Sequence, residues 1–314
     1  MKGWLFTDAH RPLELIERED PKPGPGEVVV AVKGAGLCHS DCGVIDGTLL
    51  AAMPKRPPII LGHEVAGVIA AVGPGVTRFK VGDRVVASGT AQFCPGWTAD
   101  GGYASHCLLT EQCLLPLPDS VSFAQGAAAT DAGMTSHGAI MRAGELKPGM
   151  RVGIIGLGGL GMTGARIAVL NGAEVYAAEP RREAWGPASE QGVREIVDDV
   201  RALASFQCDL IVDFAGFGDT TAGAISAVRV GGLVVQVGVG RTEATISTME
   251  LVGKSVTLRG NQGGDATDTA AVLAHMAKGE LAIQANPIGF DEIPEGLARL
   301  ERGGVVGRLV AEMV

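Results

Sequence analysis

This 314-residue sequence has few aromatic residues, fewer basic than acidic residues and no long apolar runs. The net charge of −9 argues against a nucleic-acid surface, because phosphate binding needs clustered Lys and Arg. The longest apolar stretches, such as Val152–Leu160, are interrupted by glycine and are far shorter than the roughly 20 residues that span a bilayer. We therefore expect neither a nucleic acid nor a membrane among the partners.

Signals of secretion are also missing. Asp8 introduces a charge before an apolar signal segment can form after Met1. Six cysteines in a chain of this length are too few for a disulfide scaffold. These features predict a cytoplasmic protein with reduced thiols.

The first third of the chain has the pattern of short strands bounded by Gly, Pro or Asp, with no long helical period. The predicted strands are Glu27–Val32, Glu64–Val72, Asp83–Ala87 and Tyr103–Leu109. We expect a compact, mostly β domain here.

From Arg151 onward the pattern changes to strands alternating with helices. The predicted strands are Arg151–Ile155, Glu174–Ala178, Asp209–Phe214, Leu233–Val237 and Ser255–Arg259. Helical stretches, including Gly159–Asn171 and Thr220–Val228, separate them. Such alternation predicts parallel strands with crossover helices, which is a doubly wound sheet of the α/β class.

A glycine-rich turn joins the first of these strands to its helix. Its sequence fits G-x-G-x-x-G, with Gly156, Leu157, Gly158, Gly159, Leu160 and Gly161. After a strand and before a helix, this pattern predicts a dinucleotide site, because the helix N-terminus offers free N–H groups to the phosphates. The less specific interpretation is a packing turn without a ligand.

Glu179 ends the next strand, where its carboxylate can accept the ribose hydroxyls of a dinucleotide. The same carboxylate would repel a 2′-phosphate, although the neighbouring Arg181 and Arg182 would attract one. We therefore expect NAD(H) to be favoured over NADP(H).

Two short motifs hold candidate metal ligands. Cys38, His39, Ser40 and Asp41 follow a predicted strand, and Gly62-His63-Glu64 opens another strand 25 residues after Cys38. Thiolate and imidazole both suit zinc. Two such residues alone do not define a site, since a free Cys is usually part of a core.

These motifs together resemble those of the zinc-containing medium-chain alcohol dehydrogenases over nearly the whole chain. Further matching pieces are Gly82–Val85, Asp131–Thr135, the glycine-rich turn and Gly307-Arg308. The resemblance implies a GroES-like β domain at 1–130, with 263–314 returning to it, and a Rossmann domain with a six-stranded parallel sheet at 131–262. It also implies a cleft between the domains, and a homodimer or homotetramer that pairs through the last sheet strand.

The resemblance further implies a catalytic zinc held by Cys38, His63 and Asp131. Carboxylates are acceptable zinc donors, so Asp at the third position is chemically sound. Ser40 would hydrogen-bond the substrate oxygen and carry its proton away. Asp41 would orient the imidazole of His63.

The remaining implied roles concern the back of the metal site and the cofactor. Glu64 would lie behind the zinc and exchange with a ligand. His39 and Arg308 would approach the cofactor pyrophosphate, and Thr135 the nicotinamide.

The chain departs from the family in two places. Many members carry a structural zinc held by four cysteines, but the corresponding segment Ser88–Gly101 is short and holds only Cys94. We therefore expect one catalytic zinc per chain and no structural zinc, with Trp97 brought toward the substrate site. Members with a relay His place it three residues beyond Ser40, where this chain has Gly43.

The function predicted from the sequence is hydride transfer between a small alcohol or carbonyl compound and NAD(P). Two alternatives remain open. One is a C=C or C=N reductase of the same superfamily, and the other is a non-catalytic nicotinamide-binding sensor.

Overall fold

The computed structural model describes residues 1–90 and 92–313, which form two compact units. The first unit contains Met1–Asp131, Asp265–Gly279 and Ile283–Val314, and the second contains Ala132–Gly264 and Glu280–Ala282. Within the described part of the chain, no helix is both long and apolar enough to cross a membrane.

The described residues contain sixteen strands, numbered in chain order. They are β1 (Lys2–Phe6), β2 (Glu14–Glu17), β3 (Glu27–Leu37), β4 (Ile59–Ile60), β5 (Glu64–Val72), β6 (Arg84–Ala87), β7 (His106–Thr110), β8 (Leu114–Pro116), β9 (Arg151–Ile155), β10 (Glu174–Ala178), β11 (Glu195–Val197), β12 (Leu210–Asp213), β13 (Leu233–Gln236), β14 (Thr257–Gly260), β15 (Ala285–Gly289) and β16 (Arg308–Glu312).

The same residues contain nine α-helices. They are α1 (His39–Ile45), α2 (Phe123–Ala128), α3 (Met134–His137), α4 (Gly159–Leu170), α5 (Trp185–Glu190), α6 (Asp219–Ala227), α7 (Thr248–Gly253), α8 (Ala266–Ala277) and α9 (Ile293–Glu301). Two π-helical segments, Ala129–Gly133 and Gly138–Ala143, continue the helical course of α2 and α3.

The first unit is built around the long strand β3. This strand pairs antiparallel with β5, β7 and β16, within a sheet of order β15-β16-β3-β5-β6-β8. A smaller sheet, β2-β1-β4, lies in the same unit. Its core consists of branched and aromatic side chains, among them the fully buried Phe6, Leu37 and Ile60. The predicted mostly β domain is therefore confirmed in architecture.

The second unit contains a six-stranded, fully parallel sheet in the order β11-β10-β9-β12-β13-β14. Counted from β9, this is the 3-2-1-4-5-6 order of dinucleotide-binding folds. Its central strands are apolar and buried on both faces, as Ile154, Val212 and Val234 illustrate. The predicted doubly wound sheet is confirmed.

Parallel strands end at one edge of the sheet, and this places the candidate cofactor residues together. The strand β9 runs directly into Gly156, and β10 runs into Glu179. Ligands of such folds bind at this carboxyl edge, where the strand order reverses.

Candidate active site

Four potential metal ligands meet in the first unit. One ligand atom from each of Cys38, His63, Glu64 and Asp131 lies within 4.8 Å of the other three. Within residues 1–90 and 92–313, no other group of three or more His, Cys, Asp or Glu side chains converges in this way. Sulfur, imidazole nitrogen and carboxylate oxygen are the donors that zinc accepts.

The sheet register explains how distant parts of the sequence converge. Gly36 of β3 is paired with Glu64 at the start of β5, so Cys38 and His63 leave neighbouring strands side by side. Cys38 caps the N-terminus of α1. Asp131 comes from the π-helical segment Ala129–Gly133, a type of distortion that is frequent at functional sites.

The predicted ligands lie close to one another. The Sγ atom of Cys38 is 3.3 Å from Oδ2 of Asp131, and Nε2 of His63 is 3.6 Å from the same oxygen. Nδ1 of His63 points the other way and lies 3.3 Å from Oδ1 of Asp41. The imidazole thus has one nitrogen toward the ligand cluster and the other toward a carboxylate, as in metal-ligating histidines generally.

Asp41 is held from its other side by two donors. Its Oδ2 accepts hydrogen bonds from the Cys38 backbone N–H at 3.2 Å and from the Tyr103 hydroxyl at 2.7 Å. Burial and the Asp41 charge raise the pKa of Tyr103 well above its ordinary value, so the hydroxyl stays a donor. Sequence reasoning missed Tyr103, although a buried Tyr generally needs a polar partner for its hydroxyl.

Arg308 lies against the ligand cluster. Its guanidinium donates to the carboxylates of Glu64 and Asp131, and it is 3% exposed. Burial alone would lower the pKa of Arg308, but Cys38, Glu64 and Asp131 raise it well above the usual value. The predicted approach of Arg308 to the cofactor pyrophosphate stays a prediction.

The charge balance of this cluster favours a bound cation. Burial raises the pKa of Glu64 to about 7, against the opposing effect of Arg308. Burial lowers the pKa of His63, but the effect of Asp41 and Asp131 is larger and raises the pKa well above its ordinary value. At His63 the carboxylates of Asp41 and Asp131 thus outweigh burial, whereas at Glu64 burial itself is the main cause of the raised pKa.

Three buried atoms in or beside the cluster lack a hydrogen bond within the described residues. They are Oε2 of Glu64, Nε of Arg308 and Nδ1 of His63, the last of which faces Asp41 off the line of a good hydrogen bond. Unsatisfied buried polar atoms are rare and call for an explanation, such as an ion that draws the surrounding side chains together. The donor set fits a divalent zinc ion.

Three other predicted residues have defined positions. Ser40 lies half-buried on the first turn of α1, two residues after Cys38. His39 is exposed, and its Nε2 is 3.1 Å from the carbonyl oxygen of Leu300. Thr135 is buried in α3 of the second unit.

Trp97, which follows β6 in the chain, packs beside the ligand cluster. The ring centroids of Trp97 and His63 are 6.4 Å apart, in an edge-to-face arrangement. Cys94 is bonded through its backbone N–H to the Thr98 hydroxyl and does not belong to the converging ligand group. The expectation that Trp97 approaches the site of chemistry agrees with its contact to His63.

The glycine-rich turn of the second unit has the geometry that its three glycines require. Gly156 adopts a φ of +81°, which side chains rarely tolerate. A Cβ on Gly161 would collide with the carbonyl of Gly156, so the helix can pack closely on the strand only with glycine there. A Cβ on Gly158 would meet nothing within 4 Å, and this residue caps α4, whose first residues are Gly159 and Leu160.

Glu179 organises the end of β10. Its carboxylate accepts hydrogen bonds from the Leu157 N–H at 2.7 Å and the Arg181 N–H at 2.9 Å. The Arg181 side chain also pairs with it, from Nε at 3.0 Å and from its terminal nitrogen at 3.1 Å. Burial raises the pKa of Glu179, but the effect of these donors is larger and lowers the pKa below its ordinary value, so the carboxylate stays charged. Arg182 instead stacks 3.9 Å from the Trp185 ring centroid.

Comparison with known proteins agrees with this fold. Residues 24–119 match the model of the alcohol dehydrogenase GroES-like domain, and residues 159–278 match that of the zinc-binding dehydrogenase domain. An alcohol dehydrogenase from Geobacillus stearothermophilus is 31% identical over 343 aligned positions, which cover 100% of both chains. Because this chain has only 314 residues, the relative contains segments that this chain lacks.

Solved structures are similar over the same length. Acetophenone reductase from Geotrichum candidum, solved in complex with NAD, is 28% identical, with a TM-score of 0.91 over 99% of this chain and 97% of that one. The alcohol dehydrogenase of Aeropyrum pernix is 26% identical, with a TM-score of 0.92 over 100% of both chains.

The fold and the ligand cluster define a zinc-type, nicotinamide-dependent dehydrogenase. The chain belongs to the zinc-containing medium-chain alcohol dehydrogenase family. The resemblance expected from the sequence motifs is confirmed.

Proposed function

We propose that this chain oxidises an alcohol, or reduces the corresponding carbonyl compound, with one zinc ion held by Cys38, His63 and Asp131. As a member of its family, it is an NAD(P)-dependent oxidoreductase that acts on the CH–OH group of a small molecule and uses zinc. The observation that carries the ligand assignment is the convergence of these three donors with Glu64 within 4.8 Å.

Alcohol oxidation removes a hydride from carbon and a proton from oxygen, and the two leave by different routes. The nicotinamide would accept the hydride, and the products would be NAD(P)H and the carbonyl compound. Zinc held by Cys38, His63 and Asp131 would supply a Lewis acid that makes the hydroxyl more acidic. Ser40, on the same helical turn as Cys38, is our candidate for receiving the proton.

The positions of Asp41 and Glu64 support two further proposed assignments. Asp41 orients His63, and the buried carboxylate of Glu64 is available as an exchangeable ligand behind the metal. His39, Thr135 and Arg308 are retained as proposed cofactor contacts. We also retain the proposed domain limits, 1–130 with 263–314 for catalysis and 131–262 for the nucleotide, and a cytoplasmic location, which the six free cysteines support.

NAD(H) is the proposed cofactor in preference to NADP(H). Glu179 is charged, 2% exposed and situated next to the glycine-rich turn, where a 2′-phosphate would meet its negative charge. Arg181 is already engaged by Glu179 through two side-chain nitrogens, which reduces its capacity to bind a phosphate.

A homodimer or homotetramer is the proposed assembly. The strand β14 lies at one edge of the six-stranded sheet, and Leu258 on it is 40% exposed. On the neighbouring helix α7, Met249 and Val252 are 80% and 75% exposed. An unprotected edge strand beside exposed apolar side chains is suited to pairing with a second copy.

The central test combines metal analysis with cofactor kinetics on the purified full-length chain. We expect one zinc ion per chain, and oxidation of simple alcohols that stops when a chelator removes the zinc and resumes when zinc is returned. A chain that turns over alcohols at full rate after complete zinc removal would contradict the proposal.

A further inference from the structure

We propose that Tyr103 is a positioning residue of the metal centre, which acts on His63 through Asp41. The inference rests on the proposed zinc site. It concerns a residue whose hydroxyl donates to Asp41, the carboxylate that faces the proposed ligand His63.

One hydrogen bond and one close polar contact link three side chains in series. The Tyr103 hydroxyl donates to Oδ2 of Asp41 at 2.7 Å, and Oδ1 of Asp41 faces Nδ1 of His63 at 3.3 Å. Tyr103 is 0% and Asp41 1% exposed, so water does not compete for these groups. With Oδ2 fixed by Tyr103, the carboxylate cannot rotate freely, and its other oxygen remains directed at the imidazole.

The backbone of Tyr103 is tied to the segment that precedes His63. Three hydrogen bonds connect Gly101, Gly102 and Tyr103 to the carbonyls of Ile60, Gly62 and Leu61, at 2.8, 2.7 and 3.0 Å respectively. The phenol ring therefore has a fixed origin relative to the ligand that it serves.

The ring also packs on Gly62. This glycine has a φ of +93°, and a Cβ built on it would lie 2.5 Å from the Tyr103 ring. The ring thus occupies the space that a side chain at position 62 would take, immediately before the ligand His63. Tyr103 thus contacts the segment before His63 by packing, and it contacts Asp41 by a hydrogen bond.

The hydroxyl has a specific consequence that the ring does not. Removing the hydroxyl takes one of the two donors from Oδ2 of the buried Asp41. The Cys38 N–H, at 3.2 Å, is the donor that remains. Asp41 is then free to turn away from His63, which weakens the orientation of the imidazole and its basicity as a ligand. The expected defect is therefore in metal retention.

The test uses Tyr103→Phe, which keeps the buried ring and removes only the hydroxyl. The matched control is Tyr176→Phe, because Tyr176 is the other tyrosine of the chain and its hydroxyl also faces a carboxylate, Glu174, at 3.4 Å. Zinc transfer from each folded holoenzyme to excess EDTA is timed, and the absorption spectrum of each Co²⁺-substituted protein is recorded.

We expect Tyr103→Phe to release zinc about tenfold faster than the unmodified chain, which is the scale for groups that hydrogen-bond around a metal ligand. We also expect a shift in the absorption spectrum of the Co²⁺-substituted protein. Tyr176→Phe should change neither. In an Asp41→Asn background, Tyr103→Phe should add less than about twofold, because residues that act through one another are not additive.

Three results would overturn the inference. They are an unchanged zinc release rate in Tyr103→Phe, a lower melting temperature without a change in metal release, and full additivity with Asp41→Asn. If the unmodified chain itself held no zinc, the proposed metal centre would fail, and the inference with it. That outcome is distinguishable, since it precedes any variant.

Discussion

The carboxylate of Glu179 accepts a hydrogen bond from the backbone N–H of Leu157, 2.7 Å away within the glycine-rich turn. One side chain at the end of β10 therefore shapes the turn that follows β9 and also holds Arg181. A hydrogen bond thus connects the charge that we propose selects the cofactor with the loop that we propose binds its phosphates.

Replacing this carboxylate should change cofactor preference. We expect Glu179→Ser to lower kcat/KM with NAD, to free Arg181 for a 2′-phosphate, and to shift the NAD/NADP preference by about 10- to 100-fold, the scale of hydrogen bonds to a charged group. Steady-state kinetics with both cofactors measures this. Glu174→Ser, at the other end of β10 in partly exposed ion pairs, is the control and should leave the ratio nearly unchanged. A native preference for NADP would refute the assignment.

Loss of the third proposed ligand should abolish metal binding without unfolding the chain. Asp131→Ala is expected to lose its zinc and its activity while it still binds NAD, because the glycine-rich turn and Glu179 lie in the second unit. Elemental analysis and circular dichroism measure the two effects. Cys94→Ser, which alters a thiol outside the ligand cluster, should retain one zinc per chain. Two tightly held zinc ions in the unmodified chain would reveal a structural site that we do not expect.

The proposed proton acceptor is open to a kinetic test. Ser40→Ala should bind zinc and NAD nearly normally but lower kcat for alcohol oxidation by about 100-fold or more, the usual scale for a lost acid–base path. Because position 43 is glycine, small buffer bases should restore part of the rate. Ser40→Thr keeps a hydroxyl and should retain most activity. Unchanged alcohol oxidation in Ser40→Ala, or turnover of enals and imines alone, would favour a reductase mechanism.

Assembly through the edge of the sheet predicts a specific effect of charge. Leu258→Glu places identical charges across any symmetric pairing of β14 and should shift the protein toward monomer in sedimentation at micromolar concentration. Val81→Glu alters a residue that is 58% exposed in the first unit and should leave the assembly intact. An unmodified chain that sediments only as monomer would count against the pairing.

The sequence was sufficient for the sheet of the second unit but not for all of its strands. The limits of β9 and β10 agree with the predictions because both are apolar runs bounded by turns. The three-residue strand β11 was missed, since Glu195–Val197 has one buried residue and is too short for a period to show. Its pairing with β10, and not its own composition, makes it a strand.

For the site, the sequence motifs identified the candidate ligands and Asp41 behind His63, whereas the contacts of Tyr103 and Arg308 needed the structure. Cys38 and His63 stand in recognisable local patterns, and their proximity follows from the pairing of Gly36 with Glu64. The bond from Tyr103 to Asp41 joins residues 62 positions apart, and no local pattern announces it. For the same reason, the contact of Arg308 with Glu64 was missed.

Gly36 shows how the proposed metal site constrains the strand β3, which contributes none of the proposed ligands. A Cβ at position 36 would collide with the Glu64 carboxylate. Because this carboxylate is fully buried and bonded to Arg308, it cannot move aside. In saturation mutagenesis scored by enzyme activity, position 36 should therefore tolerate not even alanine. Gly75, where a Cβ meets nothing within 4 Å, has no such neighbour and is limited only by its positive φ. A map of activity against sequence would thus reveal the position of the Glu64 carboxylate through the intolerance of Gly36 to substitution.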